Sequence, residues 1–242
     1  MIKTFIFLDL ETTGLITKHY MPKITEMSLI AVPRTAICNA TNILPRILQK
    51  LVLPIHPNVP ISKDIQKLTG LSNENLKEFP CFNCDIYNLI VNFINRLAAP
   101  ACFIAYNGNN YDYPIFLSEF KNIEKNFSEN VLSIDMMHLV KEFFSHKQNP
   151  KKEMNIVQPI CSNCTEDRRG SNVRRQLDFA NSQPINFRLG SVYKHIFGNN
   201  PEDAHSAEGD CLTMIRCAIK LGNFFVEWTD RNAVPLTNYT SK

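Results

Sequence analysis

The sequence predicts an α/β fold in which helices flank a central mixed sheet. Short apolar runs with the character of buried strands alternate with segments whose apolar residues recur at helical spacing. The chain has 242 residues and 44% hydrophobic content, which is enough to bury a large core. We therefore expect residues 1–242 to form a single domain without internal repeats.

The chain opens with strands. The run from Thr4 to Leu10 is almost continuously apolar and aromatic, which is typical of a central strand covered on both faces. Ile24 to Val32 and Leu51 to Ile55 are predicted as two further strands, and Pro54 and Pro57 end the second of them. We expect these three strands to pair in antiparallel fashion.

Helices and strands then alternate. Apolar spacing predicts helices from Ser62 to Leu68, ending at Gly70, and from Cys84 to Leu97, ending before Pro100. The later elements are predicted as follows: a strand from Ala101 to Tyr106, a turn from Asn107 to Asn110, a helix with Pro114 at its first position, a strand from Val131 to Asp135, a helix to about Phe144, an ordered segment from Phe187 to Phe197, and a final helix from about Ser206 to Leu221.

A basic segment from about 145 to 184 interrupts this alternation. It has few large apolar residues, and its cations are Lys147, Lys151, Lys152, Arg168, Arg169, Arg174 and Arg175. Such a composition predicts a flexible insertion. A long basic loop of this kind either contacts a phosphate backbone or is simply a solvated surface loop.

Composition limits the class of protein. The net charge of +3 and the pI near 8.4 permit a polyanionic partner without identifying one. The chain does not open with a positively charged segment followed by an apolar run, and no apolar run reaches the roughly 20 residues that span a bilayer. We therefore expect a soluble protein of the cytoplasm and/or nucleus, with no membrane anchor.

The cysteines raise the question of zinc. Eight cysteines include the pairs Cys81/Cys84 and Cys161/Cys164, and two such pairs could in principle close a zinc site. Their separation is far longer than a zinc ribbon allows, and the first pair lies where a helix is predicted to begin. The pattern favours reduced thiols over a zinc site.

Two acids, Asp9 and Glu11, follow the first predicted strand. Alternation places both carboxylates on the face that also carries Phe5 and Phe7. Like charges near 4 Å repel by about 4 kcal/mol at an effective dielectric of 20, and a bound cation would remove that conflict. The alternative is that this strand end is simply solvated.

Asp112 follows the Asn- and Gly-rich turn and precedes Pro114. Its ordinary role would be to cap the helix that begins there. A second interpretation is catalytic, because the strand before the turn is expected to end beside the first strand and to deliver Asp112 to the same edge of the sheet. Tyr111 stands next to it, where it could touch a phosphate or the attacking water.

His205 and Asp210 lie five residues apart, which on one helix is a separation of about 140°. We therefore expect His205 to precede the helix and Ser206 to cap it. Asp210 falls on an apolar stripe, where an acid needs a partner such as a metal ion; the stripe is formed by Ala207, Cys211, Met214 and Ala218. A loop imidazole is suited to accept a proton from water.

Together these residues supply four carboxylates and one base around one edge of a sheet. Two-metal phosphodiester hydrolysis needs this set, since two divalent ions about 3.5 to 4 Å apart take oxygen ligands. Oxygen ligation favours Mg²⁺ or Mn²⁺ over zinc. The sequence therefore predicts a nuclease with Asp9, Glu11, Asp112 and Asp210 as ligands and His205 as base.

The segments FLDLETTGL, AYNGNNYDYP and HSAEGD resemble the three exonuclease motifs of the DEDDh branch of the DnaQ-like superfamily. More narrowly, the chain is similar to the three-prime repair exonucleases of animals, the TREX family. That similarity extends through PKITEMSLIAV, LTGLS, VLSIDM and LGSVYKHIFG, and leaves out the segment from about 145 to 184.

The resemblance implies a single DEDDh exonuclease domain with a ribonuclease H-like fold, which removes nucleotides from DNA 3′ ends with two Mg²⁺. It implies the same ligands and base as above, and it adds contacts to single-stranded DNA or DNA 3′ ends from Thr12, Leu15, Leu68 and Tyr111. It also implies a homodimer joined through the strand near Leu51 to Ile55.

Two positions depart from the family pattern. Tyr106 stands where better known members have histidine, and Asn110 replaces an arginine that contacts DNA in one mammalian relative. Neither position is a predicted metal ligand, so the departures concern the handling of duplex DNA. Two other functions stay open: an RNA exonuclease of the oligoribonuclease kind, and a nucleic-acid-binding module of the same fold without catalysis.

Overall fold

A computed structural model of the protein describes residues 1–40, 44–146 and 182–239. Its centre is a six-stranded sheet in the order β3-β2-β1-β4-β5-β6. The strands are β1 (Thr4–Thr12), β2 (Ile24–Pro33), β3 (Gln49–Pro54), β4 (Ala101–Ala105), β5 (Leu132–Asp135) and β6 (Val234–Pro235). The predicted strands are all present, with ends shifted by one to two residues.

Helices cover both faces of this sheet. The helices are α1 (Arg34–Cys38), α2 (Lys63–Thr69), α3 (Asn73–Leu76), α4 (Cys84–Asn95), α5 (Asp112–Asn122), α6 (Met136–His146), α7 (Leu189–Phe197), α8 (Ala207–Leu221) and α9 (Asn223–Asn232), and a 3₁₀ turn spans Leu236–Tyr239. The short helices α1 and α3 were not predicted from the sequence. No helix of the described ranges is long and apolar enough to cross a bilayer.

The sheet is mixed, as predicted. Strand β2 pairs antiparallel with both β1 and β3, which confirms the antiparallel start. Strand β4 runs parallel to β1 and to β5, and β6 closes the other edge in the antiparallel sense. The carboxyl ends of β1 and β4 therefore lie side by side, and the residues that follow them share one edge of the sheet.

Strand β1 divides two apolar cores by its alternation. Phe5 and Phe7 pack on one face against α6, α7, α8 and α9. Ile6, Leu8 and Leu10 pack on the other face against α4 and α5. The acids that continue the odd-numbered series therefore face the layer that contains α8.

Two sequence predictions need correction, and a third lies mostly outside the described residues. The helix ending at Leu221 is not the final one, because Gly222 adopts φ +55° and lets the chain start α9 at once. Helix α5 begins at Asp112, so Pro114 is its third residue and not its first. Of the predicted insertion at 145–184, residues 147–181 lie outside the described ranges, and residues 145 and 146 complete α6.

Candidate active site

Asp9 and Glu11 lie within β1, which extends to Thr12 and so beyond the predicted end at Leu10. Both side chains are half-buried. They point to the face that carries Phe7, and the residue opposite Glu11 on β2 is Glu26. Strand β2 pairs with β1 at both acids and holds their backbone in place, whereas β4 pairs with β1 only from Thr4 to Phe7.

Asp210 joins these two acids from the first turn of α8. One carboxylate oxygen from each of Asp9, Glu11 and Asp210 lies within 4.8 Å of the other two. Asp210 lies beside Cys211, whose buried thiol donates to the carbonyl oxygen of Phe7 at 3.4 Å and so ties α8 to β1. The predicted inward stripe is confirmed: Ala207, Cys211, Met214 and Ala218 are fully buried.

His205 lies in the loop directly before α8, as predicted. Ser206 occupies the N-cap, and its hydroxyl accepts a hydrogen bond from the Gly209 amide at 3.1 Å. The carboxylate of Asp210 accepts a hydrogen bond from the backbone of His205, which fixes the loop next to that acid. The His205 side chain is exposed, so its imidazole is open to solvent beside the cluster.

Gly209 explains how this loop can lie so close to the helix. A Cβ atom at Gly209 would stand 2.1 Å from the carbonyl oxygen of Asp203, which no side chain could tolerate. The glycine therefore allows the loop with His205 to fold against the first turn of α8. Gly209 was not predicted from the sequence as a functional residue. A glycine in the first turn of a helix, between Ser206 and Asp210, does indicate a close backbone contact at that position.

Asp112 reaches the same edge from α5. It is buried in the first turn, and the N-cap position is taken by Tyr111, so the interpretation of Asp112 as the cap residue is wrong. Its carboxylate accepts hydrogen bonds from its own backbone and from that of Leu10 on β1. Asp112 lies close enough to raise the pKa of Asp9, but it does not belong to the group within 4.8 Å.

The acids oppose one another electrostatically. Burial raises the pKa of Asp9 well above its ordinary value, and the charges of Asp112 and Asp210 add to that effect. Burial also raises the pKa of Glu11 to about 7 and that of Asp112 to about 8. Burial raises the pKa of Asp210 too, while the backbone hydrogen bond and the charge of His205 lower it.

This donor set fits a divalent cation. Carboxylates crowded in a half-buried site are costly when all are ionised, and a hard cation offsets both the burial and the repulsion. Within the described ranges, Asp9, Glu11 and Asp210 are the one group of three or more such side chains close enough to hold a metal ion. Of the cysteine pairs, Cys81 and Cys84 lie at the start of α4, and Cys161 and Cys164 fall outside the described ranges.

Hydroxyl groups line the site next to the acids. The side chains of Thr12 and Tyr111 contact each other, and both contact the carbonyl oxygen of Gly14, at 2.8 and 2.7 Å. Burial raises the pKa of the Tyr111 phenol to about 12, so it remains protonated at neutral pH. Leu15 and Leu68, which the resemblance assigned to DNA contacts, are 72% and 51% exposed.

Asp135 supports the turn before Asp112, and sequence reasoning gave it no role. Its buried carboxylate accepts hydrogen bonds from the backbone amides of Asn107 at 2.9 Å, Asn109 at 3.3 Å and Met137 at 2.9 Å. One acid thus holds the turn that leads to Asp112 and caps α6. Its position at the end of β5, followed directly by a helix, was the available signal.

The two departures from the family pattern have distinct surroundings. The hydroxyl of Tyr106 donates to the carbonyl oxygen of Phe187 at 2.8 Å, which ties the end of β4 to the segment before α7. Asn110 is exposed, and its amide donates to the side chain of Asn107 at 3.0 Å. Tyr106 therefore has a structural partner of its own, whereas Asn110 completes a surface turn.

Comparison with known proteins identifies the class. The chain belongs to the RNase_T exonuclease family, whose family model matches residues 6–158. Exonucleases of this family depend on divalent metal ions, and the acidic cluster they require is present here. The family match and the similarity to three-prime repair exonucleases thus define a DEDDh exonuclease, a phosphodiester hydrolase that works in the 3′-to-5′ direction.

Within that class the chain is of the TREX type. It is 29% identical to the three-prime repair exonuclease 1 of Bos taurus over 248 residues, which covers 98% of this chain and 69% of the relative. It is also 29% identical to the three prime repair exonuclease 2 of Homo sapiens, over 96% of this chain and 89% of the relative. These matches confirm the resemblance found in the sequence.

Solved structures confirm the ribonuclease H-like fold. A zinc-bound complex of E. coli exonuclease I with single-stranded DNA has a TM-score of 0.62 at 14% identity, over 96% of this chain and 43% of that one. The nuclease domain of 3′hExo, a DEDDh family member bound to rAMP, has a TM-score of 0.61 at 11% identity, over 91% and 92% of the two chains. This chain spans less than half of exonuclease I, and at these identities the likeness concerns the fold alone.

Proposed function

We propose that this protein removes nucleotides one at a time from single-stranded or mispaired 3′ ends of DNA, releasing nucleoside 5′-monophosphates. The observation that carries the proposal is the meeting of Asp9, Glu11 and Asp210 within 4.8 Å at the carboxyl edge of the sheet. The choice of DNA is supported by the likeness to the three-prime repair exonucleases. Exonuclease I, which shares the fold, was solved with single-stranded DNA.

The cofactor of this reaction is proposed to be a pair of Mg²⁺ ions, for which Mn²⁺ would substitute. The ligands would be Asp9, Glu11, Asp112 and Asp210, whose oxygens suit these hard cations. When bound, such a pair stabilises the attacking and leaving oxygens of an in-line displacement. The raised pKa values of Glu11 and Asp112 support this assignment, because the acids lack a compensating charge of their own.

His205 is proposed as the general base. Its side chain is exposed beside Asp210, where an attacking water can reach it, and the backbone hydrogen bond to Asp210 orients the loop. The imidazole would take the proton from water during attack on the phosphate. The negative charge of Asp210 would stabilise the imidazolium that forms.

Four residues are proposed to hold the DNA end. The exposed side chains of Leu15 and Leu68 offer apolar surfaces for the terminal base, which would give little sequence preference. The Thr12 backbone would contact the terminal hydroxyl, and the Tyr111 hydroxyl would contact the scissile phosphate. The second pair lies directly beside Glu11 and Asp112 in the chain.

A homodimer is the proposed assembly. Strand β3 is an edge strand of the sheet, so one side of its backbone is available for pairing with the same strand of a second copy. Light scattering on the purified protein tests this directly. A dimer has twice the monomer mass of 27.7 kDa, and a mass equal to that of the monomer at micromolar concentration would refute the assembly.

A substrate panel tests the activity. A 5′-labelled single-stranded DNA, the matching RNA, and a DNA duplex with a mispaired 3′ end are incubated with Mg²⁺, with Mn²⁺ and with EDTA. Asp210→Asn removes one proposed ligand, and Glu208→Gln provides the matched control because Glu208 lies in the same helical turn but pairs with Lys50 on the surface. We expect a metal-dependent ladder from the 3′ end of DNA, lost with Asp210→Asn and kept with Glu208→Gln.

The alternatives give different results on the same panel. Faster release from RNA than from DNA would replace the proposed substrate by RNA and favour the oligoribonuclease-like function. Binding of the oligonucleotides without metal-dependent release would favour a nucleic-acid-binding module. Unchanged cleavage by Asp210→Asn would show that the role assigned to this residue is wrong.

A further inference from the structure

Glu26 is a fifth acid beside the cluster, and the proposed mechanism gives it no task. It lies on β2 directly opposite Glu11, so both side chains share one face of the sheet. Its charge adds to the raised pKa values of Asp9 and Glu11. The negative charge of Glu26 increases the repulsion among the acids of the site. A residue with this cost is expected to have a structural or chemical role that offsets it.

The structure shows one strong partner for Glu26. Its Oε2 atom accepts a hydrogen bond from the backbone amide of Ala207 at 2.8 Å, across 181 residues of sequence. Ala207 is the first residue of α8. The first four amides of a helix have no acceptor within the helix, and an acid also complements the positive end of the helix dipole.

Two side chains accept hydrogen bonds from the first amides of α8. Ser206, in the preceding loop, accepts from the Gly209 amide, and Glu26, on the sheet, accepts from the Ala207 amide. Only the second of these hydrogen bonds connects the first turn of α8 to a strand that is paired with β1. One residue beyond this turn, the Cys211 thiol also contacts the carbonyl oxygen of Phe7 on β1, so Glu26 sets the position of the very start of the helix while Cys211 holds the next turn.

We propose that Glu26 is a positioning residue, whose carboxylate holds the start of α8 against the sheet so that Asp210 and His205 meet Asp9 and Glu11. His205 lies two residues before Ala207, and Asp210 lies three residues after it. Loss of the hydrogen bond lets this turn move away from β1 and disperses the donor set. The catalytic consequence rests on the proposed function, whereas the structural consequence does not.

Two substitutions of Glu26 separate the effect of side-chain length from the effect of charge. Glu26→Gln keeps an acceptor oxygen at the same distance but removes the charge, and Glu26→Asp keeps the charge but is too short to reach Ala207. Glu26→Ala removes both, and Glu208→Gln is the control because it alters an acid of the same turn that pairs with Lys50 at 2.6 Å on the outer side. Folding of each variant is checked by circular dichroism.

Three readouts are measured on the full chain. Hydrogen exchange of the Ala207 amide, without metal or DNA, reports the contact itself. Titration with Mn²⁺ reports the donor set, and steady-state kinetics on single-stranded DNA separate kcat from KM. Substitution of residues that orient metal ligands typically costs 10- to 100-fold, so we expect losses of about this size in Mn²⁺ affinity and kcat for the Asp and Ala variants.

We expect the results to depend on the length of the side chain at position 26 and not on its charge. Glu26→Gln and Glu208→Gln should keep Ala207 protection, and should keep Mn²⁺ affinity and kcat within about threefold of the wild type, whereas Glu26→Asp should behave like Glu26→Ala. KM for DNA should change little, because the DNA contacts are elsewhere. If Glu26→Ala does not fold, Glu26→Asp carries the test.

Two results would overturn the proposal. Slow exchange of the Ala207 amide in Glu26→Asp and Glu26→Ala would show that the contact does not hold the helix. Loss of Mn²⁺ affinity in Glu26→Gln with retention in Glu26→Asp would make Glu26 a metal ligand through its charge. If the wild-type protein cleaves no DNA, the proposed function is refuted but the role of Glu26 is not. Hydrogen exchange of the Ala207 amide and Mn²⁺ binding still test that role, because neither requires cleavage.

Discussion

The hydroxyl of Tyr111 donates a hydrogen bond to the carbonyl oxygen of Gly14 at 2.7 Å. The same carbonyl oxygen accepts from the hydroxyl of Thr12, and the two hydroxyls also touch each other. Each hydroxyl has one proton to donate, and either of them is enough for the Gly14 carbonyl oxygen. The proton of Tyr111 can therefore turn to a substrate oxygen while Thr12 continues to donate to Gly14.

Tyr111→Phe should reduce activity much more than stability. Thr12 continues to serve Gly14 after the change, so the free energy of unfolding should fall by no more than about 1 kcal/mol. The turnover number on single-stranded DNA should fall by about tenfold or more, because the phosphate loses a donor. Urea unfolding and steady-state kinetics measure the two quantities.

Tyr20→Phe is the matched control for that change. The Tyr20 hydroxyl contacts the hydroxyl of Thr13 at 2.6 Å, one residue away from Thr12, in the loop that follows β1. We expect near wild-type kinetics for this variant. Equal losses in the two variants would mean that Tyr111 acts only by holding the loop.

The stability of the metal-free protein should fall as the pH rises from about 4 to about 8. The pKa of Glu11 is raised from 4.5 to about 7 and that of Asp112 from 3.8 to about 8, so their protonated forms favour the folded state. The stabilisation is complete below the unfolded pKa values and is lost as pH passes the folded ones. Thermal melts in EDTA measure it, and Glu11→Gln should flatten the curve.

Mg²⁺ should reverse this trend, because it binds the ionised acids. An ion concentration about 100 times the Kd adds about 2.7 kcal/mol to the folded state. The rise in Tm on adding Mg²⁺ should therefore be larger near pH 8 than near pH 5, and it should nearly vanish in Asp210→Asn. A rise that is equal at both pH values would contradict the assignment of the acids as ligands.

Asp135→Ala should destabilise the protein and lower its activity together. The substitution leaves the amides of Asn107, Asn109 and Met137 without their acceptor, at a cost of about 1 to 3 kcal/mol. The turn that delivers Asp112 should loosen, so kcat should fall. Urea denaturation that matches the wild type within its error would rule out this role for Asp135.

Leu15→Ala should leave the free energy of unfolding unchanged and weaken the binding of single-stranded DNA. Leu15 is 72% exposed, so its removal takes little from the core. KM for single-stranded DNA should rise several-fold, because the terminal base loses an apolar surface that it would cover on binding. Leu48→Ala is the control, since Leu48 is 75% exposed just before β3, and it should have no effect on KM.

The parts of the fold that depend on local pattern were predictable from the sequence. The period of two along β1 placed Asp9 and Glu11 on one face, and the structure confirms that placement. The cap at Ser206 and the inward position of Asp210 follow from helical spacing alone. Helix α9 was missed because Gly222 joins it directly to α8, so no loop composition separates the two helices.

The contacts that hold the acids in place were not predictable. Glu26 meets Ala207 across 181 residues, and Asp135 meets Asn107 across 28 residues. Each is a side chain bound to a distant backbone amide, which leaves no trace in the spacing of residues along the chain. The resemblance marked the segments containing both acids, but only the fold shows what the two acids touch.

The alternation of β1 has an evolutionary consequence. Deletion of one residue between Phe7 and Asp9 would turn both acids toward α5 and would place an apolar side chain beneath α8. Such a slip is more damaging than most substitutions, whereas the loop after Gly14 can vary in length without moving either carboxylate. Natural variants of this enzyme should therefore gain and lose residues around Lys18 and never inside the first strand.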